Sequence, residues 1–192
     1  LVGYEDRKRF RTMALAGTRP LPDSGDPNES SWSFKEIEEQ AMVGRYIVDQ
    51  FKKIRLREYH EEGPRAYAAG PVVHLRTDYE VDMAAVERPD LPDTMRDLLH
   101  PTSAVCGAPF DEALGFITDH EPHERHLYAG YWGPVLVESE SHLFVNLRCL
   151  RWDADAVRLF VGAGITAASN PAAELAETEI KTRTLRRVLE EA

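Results

Sequence analysis

The sequence predicts a single domain of the α+β class, on three observations. A helical pattern runs from residue 33 to about 56, with apolar residues recurring at three- and four-residue spacing. Three strand-like runs then follow one another at 128–137, 142–151 and 157–165, separated by the short polar stretches 138–141 and 153–156, which suit hairpin turns. A last helical pattern begins after Asn170. Helices segregated from a run of adjacent strands indicate antiparallel sheet with packed helices. With 192 residues, 43% hydrophobic and 29% charged, the chain is long enough for one core and has ordinary globular composition.

Charge and cysteine usage narrow the partners. A formal net charge of −10 argues against nucleic acid or an anionic membrane, since either needs a basic patch. An acidic chain that binds an anion must use local donors or a metal ion. Cys106 and Cys149 make neither a disulfide framework nor a C-x-x-C zinc spacing, which implies a reducing, cytoplasmic setting. No apolar run approaches the ~20 residues of a membrane span, and no signal-peptide core opens the chain. The opening LVGYEDRKRF, without Met, reads as the middle of a strand-turn-strand unit and so as part of something longer.

Taken in order, residues 1–19 hold two short strands about the polar turn 5–8, ending in small residues that permit close packing or a backbone-lined pocket. Residues 20–31 (PLPDSGDPNESS) predict an exposed, mobile loop within the domain. Ser33 and Glu36 have capping-box spacing at the start of the first helix. Its apolar arc collects Ile37, Ala41, Val43, Ile47, Val48, Phe51 and Ile54, with Gly44 allowing close approach. Glu36 falls inside that arc and Glu39 at its edge; a cap explains the first and a solvated rim the second, unless both serve a site. Residues 59–70 read as irregular, 71–76 as a strand, 78–92 as a solvated excursion, 93–99 and 110–119 as short helices. His74 in its strand is more often a hydrogen-bonded core residue than a catalyst. Arg148, in the strand-like FVNLRC, is either a salt-bridged structural residue or an anchor.

The stretch GAGITAASNPAAELAETEIK, residues 162–181, looks most like a site. After the apolar Val157, Leu159, Phe160 and Val161, the glycines Gly162 and Gly164 let the backbone turn sharply or approach a ligand. Asn170 is a good N-cap and Pro171 suits the first helical position. At ~100° per residue, Glu174, Glu177 and Lys181 fall within roughly 60° of one another, in line with Leu185 and Val188. Three charges therefore sit on the face expected to be core. Two carboxylates at i and i+3 can share a cation while the lysine balances them or holds an anion; a solvated i,i+4 pair is the plainer meaning. A buried charge without a partner costs several kcal/mol, so burial would demand one.

The motifs taken together are more specific. Ala14-Leu15-Ala16-Gly17-Thr18, Lys35-Glu36-x-x-Glu39, His74-Leu75, Leu99-His100-Pro101-Thr102, Leu127-Tyr128-Ala129-Gly130, Leu147-Arg148, Gly162-Ala163-Gly164-Ile165 and Glu174-x-x-Glu177-x-x-x-Lys181 resemble, in order and spacing, the chorismate-utilising enzymes. KEIEEQ, HPTSAVCG and FVNLRC look most like isochorismate synthases within that family. The resemblance implies the chorismate-binding-enzyme fold, two antiparallel sheets packed face to face with flanking helices, with residues 1–192 as the C-terminal part of one such domain. It implies chorismate and Mg²⁺ bound between the sheets. Glu39 and Glu177 match metal ligands, and Glu174 an acidic neighbour reaching the ion directly or through water. Arg148 and Tyr128 match residues that grip the pyruvyl-side carboxylate, beside the Gly162 backbone. Glu36, Gly17, Thr18, His74, Gly164 and Lys181 match further pocket positions. Hard Mg²⁺ takes oxygen ligands, and it would bridge an acidic protein to an acidic substrate.

The implied activity is Mg²⁺-dependent conversion of chorismate to isochorismate, for menaquinone or siderophore synthesis. Salicylate, anthranilate and aminodeoxychorismate synthases share the scaffold, and a non-catalytic ligand-binding fragment is the alternative of another class. Isochorismate synthases activate water with a lysine and protonate the departing hydroxyl with the glutamate of a Ser-Pro-Glu motif, both N-terminal to Ala-Leu-Ala-Gly-Thr. No Ser-Pro-Glu occurs here. The acid and base are expected upstream of Leu1, in a missing N-terminal segment, and the isolated chain is expected to be inert.

Overall fold

Two long neighbouring strands organise the computed structural model, which describes residues 3–5, 8–167 and 169–190. Strand β1 spans Gly3–Glu5, β2 Arg9–Pro20, β3 His60–Ala69 and β4 Val72–Asp82. β2 and β4 pair antiparallel from Arg9 opposite Asp82 to Pro20 opposite Val72. Their buried residues alternate: Phe10, Thr12 and Ala14 on one, Val73, Leu75, Thr77, Tyr79 and Val81 on the other. With β5 (Tyr131–Trp132) and β6 (Ser141–Val145) they form a six-stranded sheet in the order β3-β4-β2-β1-β6-β5, antiparallel at every junction. β7 (Cys149–Trp152) and β8 (Val157–Phe160) make a second, two-stranded antiparallel sheet. The α+β class and its antiparallel sheets with helices are thus as expected.

Helix α1 (Phe34–Lys53) covers the apolar face of the large sheet. Its Val43, Ile47 and Phe51 pack with Phe10, Ala14, Tyr79 and Val81, and α2 (Leu91–Leu99) closes the core with Leu91, Met95 and Leu99. The helix lies close because Gly44 faces Tyr79: a Cβ there would come 3.1 Å from the phenol oxygen. Inside this core Gln40 is fully engaged. Its Oε1 accepts from the Ala16 amide at 3.0 Å, and its Nε2 donates to Thr77 Oγ1 at 2.9 Å. Helices α3 (Phe110–His120) and α4 (Pro171–Glu190) complete the chain, α4 beginning as expected. The Asn170 side chain accepts from the amides of Ala172 and Ala173 at 3.0 and 3.1 Å, with Pro171 first in the helix. Of residues 20–31, Pro20 ends strand β2 and 21–31 form an irregular loop with one 3₁₀ turn at Pro27–Glu29. No described helix is long and apolar enough to cross a membrane.

Several local expectations change. Residues 59–70, read as irregular, contain strand β3; its side chains are exposed on both faces, so no apolar alternation marks it, and only backbone pairing with β4 makes it a strand. Residues 78–82, read as solvated, continue β4: Asp78 and Glu80 face away while Tyr79 and Val81 enter the core. Ile37, expected in the helix's core arc, is 50% exposed. The first turns of α1 meet the end of β2 through Glu36 and Gln40 instead. The run 142–151 is two strands, not one, broken at 146–148, and 128–137 keeps only β5. The cause is a backbone knot: Asn146 N–H donates to Gly130 O at 2.8 Å and Ala129 N–H to Asn146 O at 2.9 Å. The hairpin turn at 153–156 stands, closed by Asp153 N–H to Ala156 O at 2.9 Å.

Candidate active site

Four of the predicted site residues, Gly17, Thr18, Glu36 and His74, meet at the bulged end of β2. The pairing of β2 with β4 slips between Ala16 and Thr18, and Gly17 takes up the extra residue with φ +65°. The bulge turns the Gly17 carbonyl to His74, whose Nδ1 donates to it at 3.1 Å, with Thr18 Oγ1 also 3.1 Å from that nitrogen. A carbonyl only accepts, so Nδ1 carries the proton of the neutral ring. Burial pushes the His74 pKa down despite the Gly17 bond, and the charges of Arg148 and Lys181 push it further.

Glu36 presses against the same bulge and is already committed. Ser33 donates to it through both its amide, at 2.8 Å, and its hydroxyl, forming the expected capping box. Arg19 grips it as a fork, Nε at 3.0 Å and Nη2 at 3.3 Å. Burial raises the Glu36 pKa, but these donors outweigh it and hold the carboxyl at about 2.

One helical turn after Glu36, Glu39 faces Lys35, and Lys35 reaches across to Glu174 of α4. Lys35 Nζ lies 3.3 Å from Glu174 Oε1 and 3.9 Å from Glu39 Oε1. Glu174 is buried, 6% exposed, which answers the demand for a partner: Lys35 and Ser169 donate to it. Glu177 joins the group electrostatically, its own oxygen bound to Lys181 Nζ at 2.6 Å. Burial and the neighbouring Glu177, Glu36 and Glu174 raise the Glu39 pKa against the pull of Lys35. Among the described residues no three acidic, His or Cys side chains already stand in a ligating arrangement.

A cationic lip adjoins the acidic group. Lys181 Nζ also donates to Gly162 O at 2.9 Å, tying α4 to the loop after β8. Gly162 is needed there because a Cβ would lie 2.5 Å from the Tyr128 hydroxyl; around Gly164 there is open space. The Tyr128 ring stacks on Phe160 at 5.8 Å between centroids. Arg148 is exposed, sits in the 146–148 break with φ 49°, and has no ion-pair partner among the described residues. The structural salt bridge weighed for it is therefore not formed here. Asn146 Nδ2 donates to Leu127 O at 2.9 Å, so one knot positions both Tyr128 and Arg148.

Sequence reasoning had not singled out Arg19 as the partner of Glu36 or Lys35 as the cation among the carboxylates. The i,i+4 spacing of Lys35 and Glu39 was a signal, though a common one. Elsewhere, the open face of the sheet has a depression of about 260 Å³ bordered by Arg11, Arg76 and Asp78. Its charges are already paired, Arg76 with Asp78 at 2.6 Å and Arg11 with Glu80 at 2.7 Å, and no predicted site residue lines it.

Residues 1–190 match the model of a protein family described as "Chorismate binding enzyme". The chain belongs to that family. Among curated relatives, isochorismate synthase EntC of Escherichia coli strain K12 is 32% identical over 191 residues, 96% of this chain and 48% of EntC. Solved structures agree. A Bacillus anthracis protein, DhbC, described as a 2,3-dihydroxybenzoate-specific isochorismate synthase, superposes with TM-score 0.81 at 27% identity, over 99% of this chain and 52% of that one. The menaquinone-specific isochorismate synthase MenF of Escherichia coli gives 0.79 at 28% identity, over 96% of this chain and 43% of MenF. The chain thus spans about half the length of these relatives.

Proposed function

We propose that residues 1–192 are the C-terminal portion of a cytoplasmic isochorismate synthase and supply its metal- and carboxylate-binding groups. The reaction is conversion of chorismate to isochorismate, feeding menaquinone or siderophore synthesis. The supporting observation is that Lys35 joins Glu39 of α1 to Glu174 of α4, with Glu177 acting on the same ammonium electrostatically, while Arg148 and Lys181 act in the same way on nearby His74. The donor set fits Mg²⁺: all oxygen, from two helices, with an ammonium already among them. When bound, the ion would neutralise these carboxylates and a substrate carboxylate at once.

The chain's own residues bind and orient. Arg148, held at its knot and unpaired among the described residues, offers a planar fork to a carboxylate. The Tyr128 hydroxyl, set against Gly162, adds a donor. Neutral His74, with its Nδ1 proton spent on Gly17, keeps Nε2 as an acceptor for a substrate hydroxyl.

Proton transfer is assigned to the rest of the enzyme. An acid held at about pKa 2, as Glu36 is, stays ionised near neutrality and cannot protonate a leaving hydroxyl. Lys35 is a poor base: burial lowers its pKa, but the Glu174 bond and the surrounding carboxylates outweigh that and raise it. The test is chorismate turnover by this chain alone, then with the remaining segment added in trans, for wild type and for Glu39→Gln and Glu177→Gln. Isochorismate appears only on addition, and both variants lose their Mg²⁺ dependence. Turnover by the chain alone, or unaltered metal dependence in both variants, would overturn the assignment.

A further inference from the structure

Lys35 is the cation that stands between two of the carboxylates that would hold the divalent ion of that reading. Its ammonium touches Glu174, whose side chain is 8% exposed, and approaches Glu39, which has no other ion-pair partner among the described residues. Glu177 completes the group from α4. The Lys35 side chain is itself 50% exposed, so it can leave without unpacking anything. A compact ammonium on a flexible four-carbon stem suits a displaceable ion better than a fixed guanidinium fork would. Two cations within ~4 Å of each other repel, so the ammonium and a divalent ion cannot share these carboxylates at full occupancy.

We propose that Lys35 is a resident counter-ion that holds Glu39, Glu174 and Glu177 together until a divalent cation displaces it, the two competing for one site. This rests on the metal-binding reading above. If Lys35 were only a tether between α1 and α4, removing it would weaken the site or leave metal affinity alone. Competition has the opposite sign.

The experiment is Mn²⁺ binding to the 192-residue chain by calorimetry, for wild type, Lys35→Met and Lys35→Gln, with thermal melts in EDTA and in saturating Mn²⁺. Both variants bind Mn²⁺ roughly fivefold tighter than wild type, the scale of one part-exposed ion pair. Both melt below wild type in EDTA, and the gap closes in Mn²⁺ because metal binding adds more stability to the tighter binder. A readout without substitution is labelling of Lys35 by an amine-reactive ester, followed by peptide mass spectrometry. Mn²⁺ raises its rate several-fold as the ammonium is released. Unchanged or weaker affinity in both variants, or no rise in wild-type labelling, overturns the competition while wild-type binding keeps the metal reading intact. No Mn²⁺ binding by wild type overturns both.

Discussion

Replacing Gly17 with alanine tests how the sheet positions the first helix. Gly17 has φ +65°, and a Cβ built on it would lie 2.9 Å from Glu36 Cβ, 3.3 Å from its carbonyl oxygen and 3.5 Å from its Cα. These atoms belong to the helix itself, and the Glu36 carboxylate is pinned by Ser33 and Arg19, so no flexible end can yield. Left-handed backbone costs alanine about 1–2 kcal/mol, and overpacking against a fixed neighbour about 1–3 kcal/mol. At about 2–4 °C per kcal/mol for a chain of this size, the melting temperature should fall by about 4–20 °C. Gly25→Ala separates the two effects. It has φ +79° with nothing within 4 Å of the added Cβ, so it carries the backbone cost alone. Circular-dichroism melts of wild type and both variants provide the comparison. A Gly17→Ala no less stable than Gly25→Ala would mean that helix α1 does not bear on the bulge.

Gln40→Leu leaves the Ala16 amide and Thr77 hydroxyl without their partner in the core; each group costs about 1–3 kcal/mol, so urea unfolding should show a large loss, and one below about 0.5 kcal/mol would refute the network. Arg148→Lys keeps the charge and loses the fork. In the complete enzyme it should raise KM for chorismate roughly tenfold with the melting temperature unchanged, whereas a collapsed melting temperature with normal KM would make Arg148 structural. Acid stability should report Glu36. Its folded pKa, about 2, lies below the ordinary 4.5, so its contribution is fully present above about 4.5 and is lost as pH falls toward about 2. The stability gap between wild type and Glu36→Gln should close over that range in urea titrations; a gap independent of pH would exclude the ionised Glu36 as its source.

What the sequence by itself determined lies within a few residues of each signal, or in the order of motifs. The Ser33–Glu36 box, the Asn170 cap with Pro171, and the 153–156 turn are satisfied by neighbours in the chain, so their residue types announce them. The spaced motifs were enough to place the family. Tertiary structure decided the rest, because the deciding partners are distant. β3 has no apolar alternation and is a strand only because β4 pairs with it. FVNLRC reads as one strand, but the bonds from Asn146 to residues 129 and 130 break it and put Arg148 in the left-handed region. Spacing placed Glu174, Glu177 and Lys181 on one face of their helix. It could not show that Lys35, 139 residues before Glu174, would reach across to that carboxylate. That contact joins α1 to α4, so it is a property of packing and of no single segment.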